Sequence, residues 1–128
     1  MNNGKILVMD DEIEIRCILT KMLNRLHYEV VEAGDGEEAI ELFKNAISLS
    51  RPFDVILMDL MVPGGMGGEE AISKLLEIDP EAKIILSSGS IESQIMTDYR
   101  KYGISAVLCK PFGHDELIRA LQVVNESG

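Results

Sequence analysis

Asp54-Val55-Ile56-Leu57-Met58-Asp59 is the stretch that decides the fold. Its apolar run is too short for a helix and shows no alternation, so it reads as a strand that needs cover on both faces. It stops at Asp59, where a carboxylate meets the end of the strand. Short apolar runs of the same kind lie on either side: Lys5–Met9, Tyr28–Ala33, Lys83–Ser87 and Ala106–Cys109. Helical spacing fills the intervals. Ile15, Ile18, Leu19, Met22, Leu23 and Leu26 form the buried stripe of a first helix. Ala39, Ile40, Leu42, Phe43, Ala46 and Ile47 form that of a second. Asp35 with Glu38 resembles a capping box at the second helix. A glycine-rich loop from Pro63 to Gly68 leads into a third helix carrying Ala71, Ile72, Leu75 and Leu76. Ile95, Met96, Tyr99 and Tyr102 mark a fourth helix closed by Gly103, and Leu117, Ile118 and Leu121 a fifth. Five strand–helix units with short links predict an α/β fold with a parallel sheet between helix layers. The 128 residues read as a single domain, 1–128.

Composition narrows the function. The formal net charge is −10. A field of that sign repels phosphate backbones and anionic lipid, which argues against direct nucleic-acid or membrane binding. No apolar run reaches the roughly 18 residues of a membrane span. Cys17 and Cys109 form no CxxC pair and read as free thiols, so a cytoplasmic protein is expected. Cys109 is read as a packing residue. His27 and His114 lack a second metal-type ligand nearby and read as surface residues.

In an open α/β sheet, ligands bind beyond the carboxyl ends of the strands. Strand one ends in Asp10 and Asp11, strand three in Asp59, strand four in Ser87 and Ser88, and strand five in Lys110. Three carboxylates, a hydroxyl and an ammonium therefore converge on one edge. The carboxylates repel one another and each tends to keep its proton unless a cation intervenes. All-oxygen ligands favour Mg²⁺ over zinc. The metal set is Asp10 or Asp11 or both, Asp59, and a backbone carbonyl just after it, that of Met61. Each residue has a plainer explanation: Asp10 and Asp11 as caps of the first helix, Asp59 as a turn residue, the serines bonding to nearby backbone, Lys110 as a solvated charge. Their joint placement favours a site. The glycine run Gly64-Gly65-Met66-Gly67-Gly68 lacks the Lys-Ser/Thr of a phosphate-binding Walker loop and reads as flexible entry to a helix.

Together, Ile6-Leu7-Val8-Met9-Asp10-Asp11-Glu12, Asp54 to Pro63, and Cys109-Lys110-Pro111-Phe112 resemble the receiver domains of response regulators in two-component signalling. The Pro63–Gly68 loop and Ile84–Gly89 look most like receivers attached to hybrid sensor kinases. The resemblance implies a flavodoxin-like (βα)5 three-layer sandwich of strand order 2-1-3-4-5. It implies that Asp10 and Asp11 hold Mg²⁺ and that Asp59 takes a phosphoryl group from a phosphohistidine. Lys110 and Ser88 would then contact the phosphoryl oxygens. Ser88 is preferred to Ser87 because the small Gly89 follows it, and the choice between them stays open. The implied partner is a histidine kinase or histidine phosphotransfer domain, and a dimer through helix four, strand five and helix five is a further option.

Two departures stand out. Val107 occupies the place three before the lysine where the family often carries an aromatic residue. The loop after Asp59 is one residue longer than its commonest form, with Gly67-Gly68 where Asp-Gly is usual. Two rivals remain: a magnesium phosphohydrolase with an aspartyl nucleophile, and an unphosphorylated interaction module. Such enzymes often carry a second Asp two residues after the nucleophile, and here that residue is Met61, which cannot transfer protons.

Overall fold

A computed structural model describes residues 3–60, 68–89 and 94–126. Five strands, β1 (Gly4–Met9), β2 (Tyr28–Ala33), β3 (Val55–Asp59), β4 (Ile84–Ser88) and β5 (Ala106–Cys109), form one sheet in the order β2-β1-β3-β4-β5. All pairings are parallel. The predicted architecture and strand order are therefore what is found. The helices are α1 (Ile13–Arg25), α2 (Gly36–Ser48), α3 (Gly68–Ile78), α4 (Gln94–Thr97) and α5 (His114–Glu126).

Period-two alternation along each buried strand sends side chains into two separate cores. Leu7, Met9, Ile56, Met58, Ile84 and Leu86 pack with Phe43 of α2, Ile72 and Leu75 of α3, and Ile95 and Met96 of α4. Ile6, Val8, Val55, Leu57, Ile85, Ala106 and Leu108 pack with Leu19 and Leu23 of α1 and with Leu117, Leu121 and Val124 of α5. The sheet is thus covered on both faces, as its unbroken apolar runs require.

Several local expectations change. The first helix buries Leu19 and Leu23, whereas Ile18 is 55% exposed; Ile47, at the end of α2, is also exposed. The single fourth helix is divided into α4 and a 3₁₀ turn, Tyr99–Tyr102. The break falls at Asp98, where Lys101 N–H bonds to the Asp98 carbonyl in the tighter i→i+3 pattern. Gly103 closes that turn with φ 80°, in the left-handed region. Cys109 is exposed rather than packed, because it ends an edge strand. Asp35 does cap α2: its Oδ1 accepts the Glu38 N–H at 2.9 Å. The Glu38 carboxylate reaches back one residue further than in a standard box, to the Gly34 N–H at 2.7 Å. Among the described residues no helix is long and apolar enough to cross a membrane.

Candidate functional site

The site is built from strand ends. Asp10 follows β1, Asp59 closes β3, Ser87 and Ser88 close β4, and Lys110 follows β5. Parallel register brings these ends level: Met9 lies beside Met58, Asp59 beside Ser87, and Ser88 beside Cys109. Alternation turns Asp59 and Lys110 toward the α1/α5 side, with Leu57 and Leu108 below them.

Asp10 and Asp59 are almost fully buried, at 1% and 4% exposure. Two buried carboxylates need a positive partner. Lys110 supplies it: its Nζ lies 3.0 Å from Asp10 Oδ2 and 3.2 Å from Asp59 Oδ1. Burial acts to lower the Lys110 pKa, but the hydrogen bond to Asp10 and the charges of Asp59 and Asp10 outweigh it. The net direction is upward, so the ammonium stays charged.

Asp10 is held on every side. Its N–H bonds to the Ala33 carbonyl at 3.1 Å. Its Oδ1 accepts the Glu12 N–H at 3.0 Å, and its carbonyl accepts Arg16 Nη1 at 2.7 Å. The helix-capping alternative for Asp10 and Asp11 is not what is found. The N-cap of α1 is Glu12, which makes no side-chain cap bond. Asp11 is exposed, and oxygens of Asp10, Asp11 and Glu12 lie within 4.8 Å of one another. An all-carboxylate donor set, one member buried and two facing solvent, suits a hard cation that keeps some of its waters.

The two serines separate. Ser87 turns its hydroxyl to the Met58 carbonyl at 3.3 Å. Ser88 is the last residue of β4, and its carbonyl accepts the Lys110 N–H at 2.8 Å, which fixes it beside the lysine. By alternation it shares a face with Val107, and Val107 is half-buried against the α2–α4 core. A cis peptide joins Lys110 to Pro111. Met61, predicted to offer a carbonyl, and the loop through Gly67 lie outside the described residues. His27 and His114 are exposed, as expected of surface residues.

Two neighbours of the site had no assigned role in the sequence, and a third had a different one. Glu12 sat inside a quoted motif but joins Asp10 and Asp11 only once α1 turns. Arg16 gave no periodic signal, being a charge beside an apolar stripe. Gly68 is buried at the start of α3, and a Cβ there would lie 2.6 Å from the Asp59 carbonyl oxygen. Close backbone approach, and not flexibility, explains that glycine.

Residues 6–122 match the family model described as the response regulator receiver domain. The chemotaxis protein CheY of Thermotoga maritima is 32% identical over 123 residues, covering 95% of this chain and 98% of that protein. Sporulation initiation phosphotransferase F of Bacillus subtilis is 30% identical over 122 residues, covering 95% and 94%. Among solved structures, the response regulator TrrA from Thermotoga maritima, in complex with Mg²⁺ and BeF, superposes with a TM-score of 0.78 at 31% identity, covering 97% of this chain and 99% of that one.

Proposed function

We propose that Asp59 is the phosphoacceptor of this chain, which belongs to the response regulator receiver domain family and so acts as a phosphoacceptor signalling switch. The observation that carries the assignment is the Lys110 ammonium seated between two buried carboxylates, 3.2 Å from Asp59 and 3.0 Å from Asp10. Members of the family work with histidine kinases or phosphotransfer proteins. The donor proposed here is a phosphohistidine on such a partner, and the compartment is the cytoplasm. The chain is read as one receiver domain over residues 1–128.

The chemistry asks little of the protein beyond positioning and charge. An Asp59 carboxylate oxygen attacks the phosphorus in line. The new P–O bond forms as the P–N bond breaks, and the imidazole nitrogen keeps the electron pair. Lys110 is already protonated and turns from Asp59 to a phosphoryl oxygen. Ser88, which directly precedes the small Gly89, donates its hydroxyl to another. Asp10, Asp11 and Asp59 would hold Mg²⁺, with Glu12 beside them and the Met61 carbonyl as a further oxygen. When bound, the ion supplies positive charge to the phosphoryl oxygens.

The added charge of about −1.5 to −2 must be met locally. Lys110 and Ser88 are the groups that meet it, and both adjoin β5. The shift therefore passes to the α4/β5 surface by a change in population between two states. Val107 replaces an aromatic switch residue, so the readout runs through Ser88 and the segment after β4, or through α4. We assign no enzymatic turnover to the chain beyond self-phosphorylation from small donors and loss of that phosphate.

Incubation with acetyl phosphate and Mg²⁺, followed by intact-mass measurement, tests this. The wild type should gain one phosphoryl group and Asp59→Asn none. Equal behaviour of the two proteins would sink the assignment. Repeated turnover of a phosphate ester would favour the phosphohydrolase instead.

A further inference from the structure

Arg16 lies on α1, yet its side chain is only 17% exposed and two of its nitrogens are engaged. Its Nη1 donates to the Asp10 carbonyl at 2.7 Å and its Nε to Glu32 Oε1 at 3.2 Å. Glu32 is itself fixed, since its Oε2 accepts the Thr20 hydroxyl at 2.9 Å. The guanidinium therefore ties α1, β2 and the end of β1 into one unit. The carbonyl it holds belongs to the peptide linking Asp10 to Asp11. Pinning that peptide sets the direction in which the chain delivers Asp11 and Glu12 beside the Asp10 carboxylate.

From this we infer that Arg16, anchored by Glu32, is a positioning residue that holds the Asp10–Asp11 peptide in a cation-binding geometry. The inference rests on the Mg²⁺ reading of the site given above. Arginine alone suits this position, because two donors of a rigid fork point at two acceptors at once, which a lysine ammonium on a flexible stem does not reproduce. Space is also kept for it. A Cβ on Gly34 would lie 3.3 Å from Arg16 Nη1, so a larger residue there would press on the fork.

The sign of the effect separates positioning from simple electrostatics. A guanidinium near three carboxylates repels an incoming cation, so losing its charge alone would tighten Mg²⁺ binding. Losing a group that orients metal ligands weakens binding, typically by about 10- to 100-fold. Titration of the full chain with MgCl₂, followed by the amide resonances of Asp11 and Glu12, reads this directly. Arg16→Met should bind Mg²⁺ about tenfold more weakly than wild type, and Arg16→Lys should recover little. Arg16→Lys keeps the positive charge while losing the fork, so weaker binding there does not arise from simple electrostatics. That variant also serves if Arg16→Met does not fold. Unchanged or tighter binding in Arg16→Met, or in Arg16→Lys where that is the variant measured, overturns the role of Arg16 while the Mg²⁺ site stands. Absence of Mg²⁺ binding by the wild type overturns both.

Discussion

Gly68→Ala should damage this protein although alanine is the better helix former. A Cβ at residue 68 would sit 2.6 Å from the Asp59 carbonyl oxygen and 2.9 Å from the Leu60 Cα. Even close C–H···O contacts keep carbon and oxygen about 3.3–3.6 Å apart. Helix α3 or the end of β3 must therefore move by roughly 0.7 Å or more. Both obstacles are backbone, so no side chain can rotate away. Overpacking of this kind costs about 1–3 kcal/mol, and the helix propensity of alanine over glycine returns at most about 1 kcal/mol. A net loss of about 1–2 kcal/mol remains. In a chain of this size that lowers the melting temperature by about 3–10 °C.

The displaced atoms belong to Asp59 and Leu60, so if Asp59 is the acceptor proposed above, reactivity should fall with stability. A misplacement of about 1 Å can cost around 100-fold in rate, and a smaller shift here should cost about tenfold. Thermal denaturation by circular dichroism measures the first effect and the rate of acetyl phosphate labelling the second. Gly89→Ala is the control: among the described residues nothing lies within 4 Å of its added Cβ, and its stability should change by less than about 0.5 kcal/mol. A Gly68→Ala protein that melts at or above the wild type and labels at the same rate would refute the reasoning.

Further outcomes follow from other contacts. Lys110→Met strands two buried carboxylates and should cost about 2–4 kcal/mol in EDTA, part of it recovered in MgCl₂; urea titrations in the two buffers would show this. The folded-state pKa of Lys110 is raised, so its stabilisation is complete below the ordinary lysine value of about 10.4 and disappears as pH rises through the raised value. The stability gap between wild type and Lys110→Met should hold from neutral pH to about 10 and close above that; melting curves across this range would check it. Asp35→Ala removes the cap of α2 and should cost about 1 kcal/mol with phosphorylation unchanged, as urea unfolding and mass labelling would report.

The parts of the molecule that could be read from sequence are those set by burial. Strands such as Ile56-Leu57-Met58 are apolar on both faces because helices cover both faces, and that alone implies the parallel sheet. The site was legible for a related reason. Strand ends in such a sheet share one edge, so Asp10, Asp59, Ser88 and Lys110 could be placed together without knowing a distance. What escaped depends on side-chain direction. Arg16 could as well have faced solvent until α1 settled against β2 and brought its fork to Glu32 and the Asp10 carbonyl. Gly68 looked like one glycine among several, because the close approach of α3 to Leu60 is a three-dimensional fact. Ile18 and Ile47 satisfied the helical spacing but lie at the margins of their stripes, where the core does not reach. The fourth helix carried enough spaced apolar residues to read as continuous, and nothing in the spacing marked Asp98 as the point of tightening.

The lysine bridge also bears on how the chain comes to be competent at all. Lys110 and Asp10 are separated by 100 positions. Closing so long a loop in a disordered chain costs about 4 kcal/mol in entropy, more than one ion pair returns. The closure costs less once β3 and β4 have lined up between the two ends of the chain, so assembly of the acceptor site is expected among the closing steps of folding. A nascent or partly unfolded chain carries Asp59 but not its cation. On the proposed assignment, labelling of Asp59 should therefore report completed folding as well as signalling.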